Sequence, residues 1–186
     1  MHESARPFCY IGGMLKVDYS KLDSADMTPK PVKDSVVVTR DIVHPSDVNA
    51  YGVVFGGYMM SLLDKAACIA AFTHAGMKVS TVAMDGVRFY KPAVVGTILT
   101  IRASVNRVFG SSMEIGLRVT GILPGVQDEE ELICRAYMTF VAIGKDEKPV
   151  HAAPVVPETP DEIRRYEEAL ARRESRIALK NSLESR

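Results

Sequence analysis

The stretch Gly56-Gly57-Tyr58-Met59-Met60-Ser61-Leu62-Leu63-Asp64-Lys65-Ala66-Ala67-Cys68-Ile69-Ala70-Ala71-Phe72-Thr73-His74-Ala75 is followed at once by Gly76. Its apolar residues, from Met59 through Phe72, cover most of a helical cylinder rather than a single stripe. Gly76 supplies the stop, because a glycine takes the left-handed conformation that ends a helix at no steric cost. Twenty helical residues span about 30 Å. An apolar surface nearly all round means that a sheet wraps the helix rather than carrying it on one face.

The flanking segments supply that sheet. Before the helix, Val36-Val37-Val38-Thr39-Arg40-Asp41-Ile42-Val43 is rich in β-branched residues and stops at His44-Pro45. After it come four strand candidates, Ser80 to Tyr90, Ile98 to Phe109, Met113 to Leu123 and Leu132 to Ile143, separated by Pro92 and Gly96, Gly110, and Pro124-Gly125. The order β-α-β-β-β-β predicts an α+β domain, with an antiparallel sheet around one long central helix, over residues 36–145. Residues 1–35, with Pro29, Pro31 and Asp23-Ser24-Ala25-Asp26, read as an irregular, mobile arm without chemistry. Residues 146–186 read as a linker and a charged helix. Thr159-Pro160-Asp161-Glu162 offers a cap, a proline at the first helical position and a capping box. Only Ile163, Tyr166, Leu170 and Ile177 form an apolar stripe on that helix, so a solvated tail is expected.

Composition narrows the function. The chain has 186 residues, 47% of them hydrophobic, enough for one main core. Its 23 basic and 23 acidic residues cancel, so no global field draws in nucleic acid or an anionic bilayer, and neither is expected as a partner. Cys9, Cys68 and Cys134 are odd in number and lack CxxC spacing, which argues against a disulfide framework or a zinc site and for reduced thiols in the cytoplasm. The apolar patch Phe8 to Leu15 is broken by two glycines and followed by no cleavage signal, so a signal peptide is not expected.

Asp64 is the anomaly. A carboxylate inside the most apolar helix loses hydration unless partners are supplied, and one poised there is a candidate general base or nucleophile; pairing with Lys65 is the structural alternative. Gly56-Gly57 opens the same helix with free backbone N–H groups able to hold an oxyanion. Asn49 adds an amide that can orient a water or a carbonyl, or can serve a turn.

Taken together, Asn49-Ala50-Tyr51-Gly52-Val53-Val54-Phe55-Gly56-Gly57-Tyr58-Met59-Met60-Ser61-Leu62-Leu63-Asp64 resembles the N-x-x-G-x-x-F-G-G-x-x-M-x-x-x-D signature of the hot-dog-fold acyl-CoA thioesterases. The resemblance continues through Thr81 to Phe89, Lys91 to Gly96 and Gly110 to Ile115. It implies hydrolysis of acyl-CoA to free acid and CoA, with Asn49 and Asp64 as the catalytic pair and Gly57 as an oxyanion donor. It also implies a homodimer as the minimal unit, a trimer of dimers beyond it, and no cofactor or metal. Gly52, Phe55, Gly56, Arg88, Ser111 and Ser112 are the candidate substrate-binding residues. Lys91 and Arg107 are further cations for the CoA phosphates. Met59 and Met60 offer adaptable surface to an acyl chain.

Spacing adds an argument of its own. Asp64 follows Gly56 by eight residues, about 12 Å along one axis, too far for one carbonyl to touch both. The helix start of one subunit must therefore meet Asp64 of another. Two competing readings remain on the same fold. A hydratase or dehydratase would need His44 for proton transfer, and a non-catalytic acyl-CoA-binding regulatory domain would need a nucleic-acid-binding module that residues 1–35 do not offer.

Overall fold

The computed structural model describes residues 9–11, 15–17 and 26–184. Strands β1 (Cys9–Ile11) and β2 (Leu15–Val17) pair as an antiparallel hairpin, β3 is Lys30–Pro31, and β4 is Val37–Ile42. Helix α1 runs from Gly56 to Ala75. It is followed by β5 (Val79–Phe89), β6 (Ile98–Phe109), β7 (Ser112–Ile122) and β8 (Glu131–Ala142), then the short β9 (Val155–Val156) and helix α2 (Pro160–Glu184). Five strands form one antiparallel sheet in the order β4-β6-β7-β8-β5.

Alternation along the strands builds the core. Leu99, Ile101, Ala103 and Val105 of β6, Met113, Ile115 and Leu117 of β7, and Ala136, Met138 and Phe140 of β8 are all buried. They meet the Met59, Leu63, Ala66, Ala67, Ala70 and Ala71 face of α1. The run of alanines lets the helix lie close to the sheet. Gly76 ends α1 with φ 66°, its N–H bonded to the Phe72 carbonyl at 2.8 Å, as the sequence predicts. The opposite side of α1 is not covered by the described residues. Met60, Ile69 and Phe72 are 42%, 48% and 40% exposed, so one copy of the sheet buries only part of the apolar cylinder.

Two expectations change. Residues 30–35 belong to the fold rather than to an irregular arm. β3 pairs in parallel with β9, Val32 is buried, and the buried Ser35 hydroxyl accepts the Val105 N–H at 3.0 Å while donating to the Val32 carbonyl at 2.7 Å. Pro31 is tolerated because this two-strand ribbon lies outside the main sheet, where a missing donor breaks no ladder. The rest of that expectation falls largely outside the described residues.

The C-terminal helix is the second correction. Its capping box is present, with Thr159 Oγ1 accepting the Glu162 N–H and Glu162 accepting the Thr159 N–H at 2.9 Å. Instead of standing in solvent, α2 lies across the sheet face opposite α1. Arg172 reaches the fully buried Glu114 at 2.8 Å and stacks over Tyr137, Arg107 stacks over Tyr166, Arg176 meets Asp85 at 2.6 Å, and Ala169 is buried. Charged residues dock this helix because arginine carries an apolar stem and a planar head that packs on rings. Arg172→Ala strands the Glu114 carboxylate and is expected to cost about 3–5 kcal/mol in urea unfolding, whereas replacing both Glu114 and Arg172 by methionine is expected to cost less than the single change.

Candidate active site

The loop leading into α1 is built by its own polar side chains. His44 opens a turn closed by Pro45–Asp47, its N–H donating to Asp47 Oδ2 at 2.8 Å, and the Phe55 N–H donates to the Asp47 carbonyl at 2.7 Å. Asn49 Oδ1 accepts the N–H groups of Tyr51 at 2.9 Å and Val53 at 3.4 Å. Two backbone donors fix which end of this amide is oxygen, and they use both of its lone pairs. The Asn49 Nδ2 group has no hydrogen-bond partner among the described residues, so the side chain is left with donors only. Gly52 completes the same turn with φ 75°, its N–H on the Asn49 carbonyl at 3.0 Å, so its place here is conformational.

The N-terminus of α1 carries no side-chain cap, since the residue in the capping position is Phe55, which is 57% exposed. A methyl group on Gly57 would run into the Phe55 ring, whereas Gly56 has open space where a side chain would stand. The first N–H groups of the helix are thus left without a side-chain cap, beside positive helix-dipole charge. In the first turn, the Tyr58 hydroxyl donates to Asp41 Oδ2 at 2.5 Å and ties this end of α1 to β4. That bond to a carboxylate, aided by burial, pushes the tyrosine up to about 12. A groove of about 410 Å³ runs alongside, lined by Val53, Val54, Gly56, Phe89, Tyr90 and Lys91 among others.

Asp64 lies half-buried in the middle of α1, on the side facing β5. Thr81 donates its hydroxyl to Asp64 Oδ1 at 2.9 Å, leaving Oδ2 without a partner among the described residues. Lys65 does not pair with it. Nothing in the sequence marks Thr81 as a site residue, because no periodicity links a strand threonine to a helix carboxylate 17 positions earlier. One turn beyond Asp64, Cys68 is held above the ordinary thiol range by burial and then by the Asp64 charge. Burial likewise pushes Cys134 up to about 11. Neither is a thiolate nucleophile.

Other candidates lie elsewhere. Ser111 is in the tight turn between β6 and β7, and Ser112, which alternates in phase with Glu114, is on the α2 side of the sheet. Arg88 stands opposite Arg135 on β8 and has no side-chain partner among the described residues. Lys91 pairs with Glu131, and Arg107 stacks on Tyr166 and Phe109. The structure thus brings Asn49, Gly52, Phe55, Gly56 and Gly57 together at one end of α1. It does not bring Asp64, Ser111, Ser112 or Arg88 to them within one chain. Among the described residues no group of three or more His, Cys, Asp or Glu side chains is arranged to hold a metal ion.

Comparison with known proteins places this architecture. Residues 51–121 match the model of the thioesterase superfamily. The chain is 36% identical to an uncharacterized acyl-CoA thioester hydrolase of Bacillus subtilis, over 77% of this chain and 83% of that protein. It is 35% identical to the acetyl-coenzyme A thioesterase of Mus musculus over 78% of this chain, but spans only 26% of that longer protein. Among solved structures, an acyl-CoA hydrolase from Staphylococcus aureus, in complex with butyryl coenzyme A, coenzyme A and coenzyme A disulfide, superposes with a TM-score of 0.78 at 34% identity, covering 85% of this chain and 93% of that one. Further structures of that hydrolase carry single alanine substitutions of an asparagine, an aspartate and a threonine, separated by 15 and 17 residues. An apo-hexameric acyl-CoA thioesterase superposes with a TM-score of 0.79 at 33% identity, covering 82% and 97%. With a long helix wrapped by a five-stranded antiparallel sheet, and with these relatives over most of its length, this chain belongs to the hot-dog-fold acyl-CoA thioesterase family.

Proposed function

We propose that this protein hydrolyses acyl-CoA thioesters to a free carboxylic acid and CoA, at a site assembled from two copies of the chain. The observation that carries the reading is the placement of two complementary half-sites on one helix. The uncapped N-terminus at Gly56-Gly57 supplies oxyanion donors, and Asp64, held by Thr81, supplies a carboxylate about 12 Å further along. Neither half works alone. Asn49, Asp64 and Thr81 are separated by the same 15 and 17 residues as the three positions replaced in the Staphylococcus aureus hydrolase, which supports assigning them to one site.

In this mechanism the Gly57 N–H and the Asn49 Nδ2 group of one copy donate to the thioester carbonyl oxygen, so that charge developing there meets fixed dipoles. Asp64 of the other copy either takes a proton from water as it adds to the carbonyl carbon, or adds directly to form an anhydride that water then opens. In both routes the C–S bond breaks and the CoA sulfur leaves with a proton. Because Asn49 Oδ1 is committed to its turn, Asn49 acts on the carbonyl rather than as an acceptor for water. Thr81 fixes one Asp64 oxygen and leaves the other to react. The groove beside Gly56, lined by Val53, Val54, Phe89 and Tyr90, receives the acyl or pantetheine arm. This chemistry needs neither metal nor cofactor.

The second copy also answers two open surfaces. β5 is an edge strand of the sheet with Val82 61% exposed, and Met60, Ile69 and Phe72 lie bare on α1 beside it. Pairing two β5 edges about a two-fold axis closes the ladder and covers the apolar strip. A trimer of such dimers follows the hexameric relative. Free Cys68 and Cys134 suit a cytoplasmic setting, and no described helix is long and apolar enough to cross a membrane. The test is thiol release from butyryl-CoA and longer acyl-CoAs, followed with a thiol reagent. Turnover is expected, and stoichiometric binding without release would assign the chain to acyl-CoA binding alone.

A further inference from the structure

The face of the sheet under α2 carries a row of like charges. Arg102 on β6 stands opposite Arg118 on β7, Arg118 opposite Arg135 on β8, and Arg135 opposite Arg88 on β5. Neighbouring strands lie about 4.8 Å apart, so each guanidinium is within reach of the next, and like charges directly opposite one another destabilise a sheet. Several other arginines on or over this face are matched. Arg102 meets Glu130, Arg172 meets Glu114, Arg176 meets Asp85, and Arg164 and Arg165 share Asp161. Arg118, Arg135 and Arg88 are exposed; Arg118 and Arg88 have no side-chain partner among the described residues, and Arg135 makes no hydrogen bond or ion pair of its own but adds its charge to those that hold Asp161 ionised.

The row also floors a groove. A cavity of about 390 Å³ opens between the start of α2 and the sheet, with Arg102, Arg118 and Arg135 below and Arg164 and Arg165 on its wall. Its two acids are committed: Asp161 to Arg164 and Arg165, and Glu162 to the N–H groups of Glu158 and Thr159. The potential in the groove is therefore positive although the chain as a whole is neutral. Gly116 keeps the floor flat, since the Asn106 side chain already fills the space above it.

We infer that this groove binds an anion bearing two or more linked phosphates, held by Arg118 and Arg135 with Arg88 at the edge of the sheet. Guanidinium forks match phosphate oxygens, and a row in which Arg118 and Arg88 are unpaired and Arg135 shares one aspartate with Arg164 and Arg165 suits a di- or triphosphate better than a single phosphate. The site is on the opposite side of the sheet from Asp64 and does not rest on the hydrolase reading. The phosphates can belong to a free small molecule or to coenzyme A itself.

The experiment compares the full chain with the double variant Arg118→Gln, Arg135→Gln, using inorganic tripolyphosphate as the probe in low-salt titration calorimetry. The variant is expected to bind at least about tenfold more weakly. Without ligand it should melt close to the wild type, because like-charge repulsion along the row is removed together with the weak, exposed attraction of Arg135 for Asp161. Tripolyphosphate at a hundredfold excess over Kd should raise the wild-type melting temperature by about 5 °C. If coenzyme A displaces tripolyphosphate and the variant raises KM for acyl-CoA at unchanged kcat, the phosphates are those of the substrate. If coenzyme A does not compete and KM is unchanged, the ligand is a free phosphate compound. Equal binding by the two proteins, no binding by the wild type, or a change in sedimenting mass without any effect on phosphate would overturn the site. Calorimetry reads binding without turnover, so an inactive protein leaves this result interpretable.

Discussion

Asp64→Asn is expected to lower kcat for acyl-CoA hydrolysis by at least about a hundredfold while the protein stays folded and keeps its oligomeric state. The expectation follows from what the substitution keeps. Asparagine retains an oxygen for the Thr81 hydroxyl, so the helix and its contact with β5 persist. It loses the second carboxylate oxygen, the one with no partner among the described residues, and with it both the proton acceptor and the nucleophile. Steady-state kinetics alongside circular dichroism and sedimentation make the comparison. Near-normal turnover in a folded Asp64→Asn protein would remove Asp64 from the mechanism. The same experiment on His44→Ala addresses the hydratase alternative. His44 is exposed and its backbone opens a turn, so activity should survive that change.

The second large effect is recovery rather than loss. Asn49→Ala and Asp64→Ala homodimers should each be defective at both sites if one copy supplies Asn49 and Gly57 and the other supplies Asp64. In a mixed dimer one site receives both lesions and the other receives neither. Random pairing of equal amounts makes about half the dimers mixed, so activity should return to about a quarter of the wild-type value when sites act independently. A thioesterase assay on the unfractionated product of co-expressing differently tagged variants makes the measurement, and dimers purified through both tags should reach about half of the wild-type value. Tag-verified mixed dimers as inactive as their parents would sink the shared site.

Both predictions concern residues visible in the sequence, and it is instructive which relations were not. Asp64 stands out because an ionisable group in an apolar helix breaks a local rule, and local rules are legible along a chain. Thr81 breaks none; a threonine in a strand is ordinary, and only the packing of β5 against α1 gives it a partner. The split of Asn49 into a committed oxygen and a spare amide is likewise invisible until the turn is formed. Arg102, Arg118, Arg135 and Arg88 lie scattered over some fifty positions and become a row only through strand register.

The sequence by itself determined the long apolar helix, its glycine stop, the succession of elements along the chain and the motif joining Asn49 to Asp64, because each depends on interactions among near neighbours or on hydrophobic period. Tertiary structure decided the rest. The charged C-terminal helix docks on the sheet because Glu114 and Tyr137 wait there for Arg172, a match between residues 58 and 35 positions apart that charge content alone presents as a solvated tail. Lys30 to Ser35 join the core because the strand pairing with Val155–Val156 and the buried serine under Val105 draw on partners 125 and 70 positions away respectively. Long-range pairing leaves no periodic trace in one chain, which is why the fold was readable and these attachments were not.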